Sequence, residues 1–442
     1  MLFRSARMYK CGLGVAVDTK QAVCLLQKAC EHGYSDALYE LGACHETGIG
    51  VPKNPNTAIK FYTQAAEKGH ASAQYRLGQR YEKGEGVRKN FQTAIEWFKK
   101  AAMQGHLDAQ CALGWCYEFG KGVSQNYETA AEWYRKAAEQ GCSAAQYKMG
   151  WVYFYGKGVP QNDPIAVEWF EKAANQEERR AQRFLGFCYQ NGLGVSKSYK
   201  IAVEWYKKAV DHYDEIACFL LGKCYEDGLG VPKNWSHAIN YYKEAARMGH
   251  AKAQYIVGKC YYDGNGLPPS IYLAVDWFQK SAEQGYADAQ NYLGWCYQNG
   301  WGVSQNHILA CEWYRKAAEQ GNADAQFNLG WCYQNGLGED QDYTIAVEWY
   351  MKAAEQGNDA AQYCLGCCYQ DGHGVSQDFQ RAVDWFSKSA VQGNASAQNS
   401  LGVCYINGLG VSIDRQLGIE WLQKAADQGD TAAQENLARI GL

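Results

Sequence analysis

The chain has 442 residues and a net charge of −4, with its 20% charged residues mixed in sign, so it lacks the basic footprint of a nucleic-acid or anionic-membrane binder. Hydrophobic residues make up 47%, enough to build a core and to exclude disorder, and no apolar run approaches the roughly 18 residues of a membrane-spanning helix. The unusual count is 47 Gly beside 7 Pro; without collagen period or low complexity, it implies one special backbone position used repeatedly.

The start, Met1 to Tyr9, has neither the continuous apolar stretch nor the cleavage site of a signal peptide. Residue 1 already lies inside a repeating unit, so a fragment or a minimal N-terminal cap is expected. From Gly42 onward a glycine recurs at Gly78, Gly114, Gly150, Gly186, Gly222, Gly258, Gly294, Gly330, Gly366 and Gly402, always 36 residues apart. We refer to it as the anchor. The period divides the chain into a partial unit at 1–33, eleven complete units at 34–429 and a lone capping helix at 430–442.

Each unit reads as two helices. In the first, residues such as Ala145, Met149, Val152 and Tyr153 recur at helical spacing. Paired glycines six and eight residues past the anchor then break the helix, from Gly12 and Gly14 to Gly408 and Gly410. Twelve residues past the anchor stands Asp, Asn or Ser, from Asp18 and Asn54 to Asp414, a helix N-cap in every case. The second helix follows, as in Ala130, Trp133, Tyr134 and Ala137, and ends at a glycine such as Gly141. The anchor lies mid-helix, where glycine costs about 1 kcal/mol relative to alanine. Its retention predicts close contact with the Trp or Tyr ring of the second helix.

One hairpin cannot bury its apolar stripe alone, whereas stacked hairpins can. The pattern Ala-x-x-x-Leu-Gly-x-x-Tyr-x-x-Gly-x-Gly-Val, followed by Ala-x-x-Trp-Tyr-x-Lys-Ala-Ala, resembles the Sel-1-like repeats, relatives of tetratricopeptide repeats, over essentially the whole chain. The resemblance implies an all-α, right-handed superhelical solenoid. It also implies a non-catalytic adaptor that presents a concave helical groove to a protein or peptide partner. Some relatives serve as adaptors in endoplasmic-reticulum degradation complexes, and some cysteine-rich bacterial relatives are linked to β-lactam binding or hydrolysis; these are the alternatives. Local departures, Glu177 and Tyr213 for the end-of-unit glycine, Glu339 for valine and Leu267-Pro268-Pro269 in one turn, put the caps at those joints in question.

Nine of the 18 cysteines sit two residues past the anchor, from Cys44 and Cys116 to Cys404. Equivalent helices lie about 10 Å apart, beyond the roughly 7 Å that a disulfide tolerates between Cα atoms. This ladder reads as small buried hydrophobes in a reducing, cytoplasmic compartment, with the endoplasmic reticulum open if a leader lies upstream. Cys364-x-x-Cys367 lacks the second pair that structural zinc needs. His70, His106 and His250 follow the glycine that ends the second helix and read as loop surface. No nucleophile–base arrangement recurs. The reading includes no metal, no cofactor and no enzyme. Asn234 and Asn394 match the glycosylation pattern.

Residues three before, one after and four after the anchor fall almost opposite the apolar face of the first helix. This stripe holds the aromatics Trp115, Tyr147, Trp151, Phe187, Trp295, Phe327 and Trp331. Its polar companions are Gln190, Asn191, Gln298, Asn299, Gln334 and Asn335, with Glu118. Aromatic anchors among amides suit an extended peptide or a helix, although the same rings could simply pack between neighbouring first helices. Lys223 and Lys259 replace the tryptophan and predict a basic interruption.

Overall fold

In a computed structural model, which describes residues 2–441, the chain forms 25 α-helices, with no strand among the described residues. It divides into two compact units, one ending at Lys233 and one beginning at Asn234. Within each unit the helices alternate between first and second members of a hairpin, and each packs on its neighbours in the chain. No helix among the described residues is long and apolar enough to cross a membrane.

One hairpin of the N-terminal unit shows why the repeat folds as it does. The first helix, Leu107–Phe119, buries Ala109, Leu113 and Cys116. Gly120 and Gly122 then take φ of 64° and 74°, left-handed values that turn the chain without a Cβ penalty. Asn126 Oδ1 accepts the N–H of Thr129 at 2.9 Å and starts the second helix, Tyr127–Glu139. That helix buries Ala130, Ala131, Tyr134, Ala137 and Ala138 against the next first helix, Ser143–Tyr155. A fully buried Leu or Met contributes roughly 1.5–3 kcal/mol, so the short hairpin is held by its neighbours.

The anchor glycine meets a ring, as its mid-helix position requires, but the ring is the residue after the tryptophan. A Cβ on Gly150 would lie 2.4 Å from Phe170, and one on Gly330 would lie 2.8 Å from Tyr350. The tryptophans instead stand half-buried beneath a lysine three residues on; Lys352 Nζ lies 3.8 Å from the Trp349 ring. The amphipathic indole tolerates that partly wet position, whereas the smaller rings close on the glycine. In the turns, the second glycine serves a close approach as well. A Cβ on Gly158 would sit 2.2 Å from the carbonyl oxygen of Tyr127 in the preceding hairpin.

The departures keep the backbone of the repeat. Glu177 and Tyr213 hold φ of 65° and 58°, and the Tyr213 carbonyl accepts from Arg179 at 2.9 Å. Glu339 accepts from Arg315, and after the double proline Ser270 still caps its helix through Leu273 N–H. The histidines depart from the expectation of loop surface. His70, His106 and His250 are N-caps of first helices, and their Nδ1 atoms accept from Ala73, Ala109 and Ala253 at 3.1, 3.4 and 3.2 Å. The linker after the glycine is so short that the next residue already begins a helix. Asn234 and Asn394 are likewise N-caps; Asn394 is half-buried and also donates to Asp359 at 3.0 Å.

A buried glutamine ladder runs through both units. Gln326 donates to the Ala318 carbonyl at 3.1 Å and accepts from Gln356 at 2.8 Å. The same two bonds are made at Gln74, Gln110 and Gln146 in the first unit. Gln254, Gln290, Gln362 and Gln398 repeat them in the second. Such a chain satisfies polar groups that would otherwise cost about 1–3 kcal/mol each when buried.

Candidate functional site

Each unit carries an open hollow on the exposed side of its first helices. In the C-terminal unit it has a volume of about 470 Å³ and is built by helices Ala251–Asp263, Ala287–Asn299, Ala323–Asn335 and Asp359–Asp371. Tyr262, Tyr292, Trp295 and Phe327 supply its apolar wall. Tyr262 meets Trp295 edge-on at 5.8 Å, and Trp301, stacked on Tyr262 at 6.2 Å, braces Trp295 at 4.3 Å. The polar wall is acidic and amide-rich. Asn328 donates to Asn291 at 2.9 Å, Asn358 donates to Asp324 at 2.9 Å, and Asp359 stands beside them. Rings and hydrogen-bonding groups therefore share one surface, with the carboxylates supplying negative charge.

The hollow of the N-terminal unit, about 270 Å³, is lined by Tyr75, Trp115 and Tyr134, with Asp108, Cys111, Lys148 and Arg180. Its cations are held by local partners. Lys148 bonds to the buried Glu118 at 2.9 Å, and Glu118 also accepts the Tyr134 hydroxyl at 2.5 Å. Burial in this layer, with Glu118 close by, drives the Tyr134 phenol well above the ordinary range. Arg180 pairs with Glu178 at 2.8 Å and lies over the Tyr147 ring.

Of the expected stripe, Trp295 and Phe327 line the C-terminal hollow and Trp115 lines the N-terminal one. Trp151 is half-buried against Tyr155 at 5.0 Å, Trp331 is half-buried, and Phe187 is exposed. Tyr147 is buried against the stacked pair Phe170 and Phe184, with centroids 6.0 and 5.9 Å away. The amides are engaged within the fold. Gln190, Gln298 and Gln334 accept the hydroxyls of Tyr206, Tyr314 and Tyr350 at 2.9, 2.7 and 2.7 Å. Asn191, Asn299 and Asn335 each donate at 2.8 Å to the carbonyl four residues back, tying off the last turn of the helix. Lys223 pairs with Asp227 in the first unit, and Lys259 lies over Tyr292 in the second.

The hollows also use residues that the stripe left out, among them Asp108, Lys148, Tyr292, Asp324 and Asn328. These fall six and two residues before the anchor. Together with the positions three before and one after, they complete an i, i+3, i+4, i+7 face. That periodicity was available in the sequence. The position four after the anchor lies at the edge of this face, and its long side chain reaches across to the second helix instead.

All nine ladder cysteines are buried, and burial pushes the Cys116 and Cys296 thiols up to about 12. No group of three or more His, Cys, Asp or Glu side chains placed to hold a metal occurs among the described residues.

The Sel1 repeat family pattern matches twelve successive stretches, from 1–34, 35–70 and 71–106 through to 359–394 and 395–430. Comparison of the sequence with curated proteins gives no match. Among solved structures, the chain is similar to a protective antigen of uropathogenic Escherichia coli described as displaying an SLR fold. The two share 37% identity over 95% of this chain and 91% of that one, with a TM-score of 0.74. A Sel1 repeat protein from Oxalobacter formigenes is 32% identical over 70% of this chain and 89% of its own, with a TM-score of 0.50. With the 36-residue period, the hairpins and the repeat matches agreeing along its length, the chain belongs to the Sel1 repeat family and is a helical repeat scaffold.

Proposed function

We propose that the chain is a non-catalytic adaptor that binds a protein or peptide partner on the exposed face of its first helices. The observation that carries this reading is the open hollow of the C-terminal unit, where Trp295 and Phe327 stand beside Asp324, Asp359 and a row of asparagines. Rigid aromatic anchors within a polar rim are the composition of binding hot spots. The buried cysteine ladder supports a reducing compartment.

The test compares wild type with Trp295→Ala/Trp331→Ala and with Phe327→Ala. Thermal unfolding and affinity purification with mass spectrometry are run on the same preparations. A set of proteins captured by wild type and lost from variants of near-normal stability supports binding. Capture lost only in proportion to unfolding assigns the rings to packing and refutes the proposal.

A further inference from the structure

Successive first helices meet at a joint formed by two residues 31 apart: the residue three before the anchor, and the N-cap of the next first helix. In the N-terminal unit Tyr39 stacks on His70 with ring centroids 4.6 Å apart, and Tyr75 meets His106 at 4.9 Å. Arg183 binds Asp214 at 2.8 Å in the same arrangement. In the C-terminal unit Tyr255 meets Tyr286 at 5.3 Å. Between helices Leu107–Phe119 and Ser143–Tyr155 the joint holds Cys111 and Cys142, with Sγ atoms 3.7 Å apart. Neither belongs to the buried ladder; both are half-buried, and Cys111 lines the open hollow beside Trp115.

We propose that Cys111 and Cys142 are a redox site: a reversible disulfide that latches two adjacent first helices, formed by exchange with a small disulfide of the glutathione class. The sulfurs need to close by about 1.7 Å to reach the bonded distance of about 2.05 Å, a movement within reach of side-chain rotation. The two thiols are chemically unequal. The contact with Cys111 lowers the Cys142 thiol; burial opposes this, and the amides of Ala145 and Ala144 at the helix N-terminus add to the lowering. The same contact, together with burial, raises Cys111. Cys142 is therefore the attacking thiolate. Its sulfur attacks one sulfur of oxidised glutathione, the S–S bond breaks, and one glutathione thiolate leaves. Cys111 then gives its proton to water or base and attacks the Cys142 sulfur, expelling the second glutathione. Two protein thiols are oxidised, and one glutathione disulfide is reduced to two thiols. Cys311 and Cys332, both buried, provide an internal contrast without an open approach. The inference is independent of the partner-binding reading.

The experiment exposes the reduced full-length chain to a graded ratio of oxidised to reduced glutathione, blocks the remaining thiols by alkylation, and maps tryptic peptides by mass spectrometry. The expected product joins the peptide at residues 101–121 to the peptide at residues 137–148, with Cys116 alkylated and the link reversed by reductant. In short alkylation pulses near neutral pH, Cys142 is expected to react about tenfold faster than the exposed Cys24. In Cys111→Ser the resolving thiol is gone, so glutathione should remain on Cys142. Native chain that keeps Cys142 alkylated across the whole range overturns the proposal. So does accumulation of the glutathione adduct without the link. The decisive arm uses unmodified protein, so a poorly folding variant leaves the result intact.

Discussion

Gln182 is the one member of the buried glutamine row whose Oε1 lacks a hydrogen-bond partner. It donates to the Ala174 carbonyl at 3.2 Å as its counterparts do, but the residue 30 positions on is His212, where each other glutamine of the buried row is followed by glutamine. Replacing His212 with Gln should complete the row. The site is ready for it: His212 caps its helix at φ −101°, close to the φ −89° of Gln104, which donates to Gln74 from the same place. A new buried hydrogen bond contributes about 0.5–1.5 kcal/mol net and relieves an acceptor that costs about 1–3 kcal/mol unpaired. Ordering a glutamine costs up to about 1.5 kcal/mol, leaving an expected gain of about 1 kcal/mol. For a unit of this size that is a rise of roughly 2–4 °C in melting temperature by calorimetry. A double-mutant cycle with Gln182→Met isolates the pair, because the gain should vanish once the acceptor is gone. No change in His212→Gln, or an equal gain in the Gln182→Met background, refutes the reasoning.

Three further outcomes are expected. Gly330→Ala places a methyl 2.8 Å from the Tyr350 ring; overpacking of about 1–3 kcal/mol should outweigh a helix-propensity gain of about 1, giving net destabilisation in urea unfolding. Tyr213→Gly should stabilise by about 0.5–1 kcal/mol in the same assay, since the 77% exposed side chain packs little while φ is 58°. Burial lowers the folded pKa of His106 against the pull of Asp108, and its neutral ring caps Ala109 N–H. The unfolded chain therefore takes up a proton more readily. Stability should be full above the unfolded value near 6.5 and fall as pH drops below it. His106→Asn, which keeps a capping oxygen, should flatten that loss between melts at about pH 8 and pH 5.5; an unchanged slope assigns the acid sensitivity elsewhere.

The hairpins, their caps and their turns were legible because each rests on a residue type that the backbone demands. Asn126 and Gly120 are chosen by local geometry, which needs no neighbour to be read. The contact behind the anchor was legible as a ring but not as Phe170 or Tyr350, because Trp and Tyr stand side by side and only packing decides which faces in. Gln298 and Gln334 looked like groove residues because a helical wheel gives direction and not reach; their side chains extend back to the tyrosine hydroxyls. The glutamine row escaped notice for a related reason. Gln326 follows its alanine at fixed spacing, yet polar residues are read as surface unless a partner is known, and the partner lies in the next hairpin.

That distinction bears on where function can reside. Repeats within one chain solve the same packing problem many times, so the positions that stay fixed are those the packing requires. The alanine and the anchor are fixed in this sense; the ring gives way to Leu422 behind Gly402, and the glutamine row is interrupted at Leu38 and Cys218. The joint position three before the anchor is Tyr75, Cys111, Arg183, Tyr255, Asn291 and Phe327 in different repeats, on one unchanged backbone geometry. A position that accepts a ring, a thiol, a cation and an amide is constrained by packing less strictly than the anchor is. It opens on both hollows, where Cys111 and Tyr75 line one and Asn291 and Phe327 the other. The variation at this position thus separates the surface that can be specialised for recognition or redox chemistry from the scaffold that carries it. Exchange of Phe327 for Asn, already accommodated at 291, is accordingly expected to alter binding at little cost in stability.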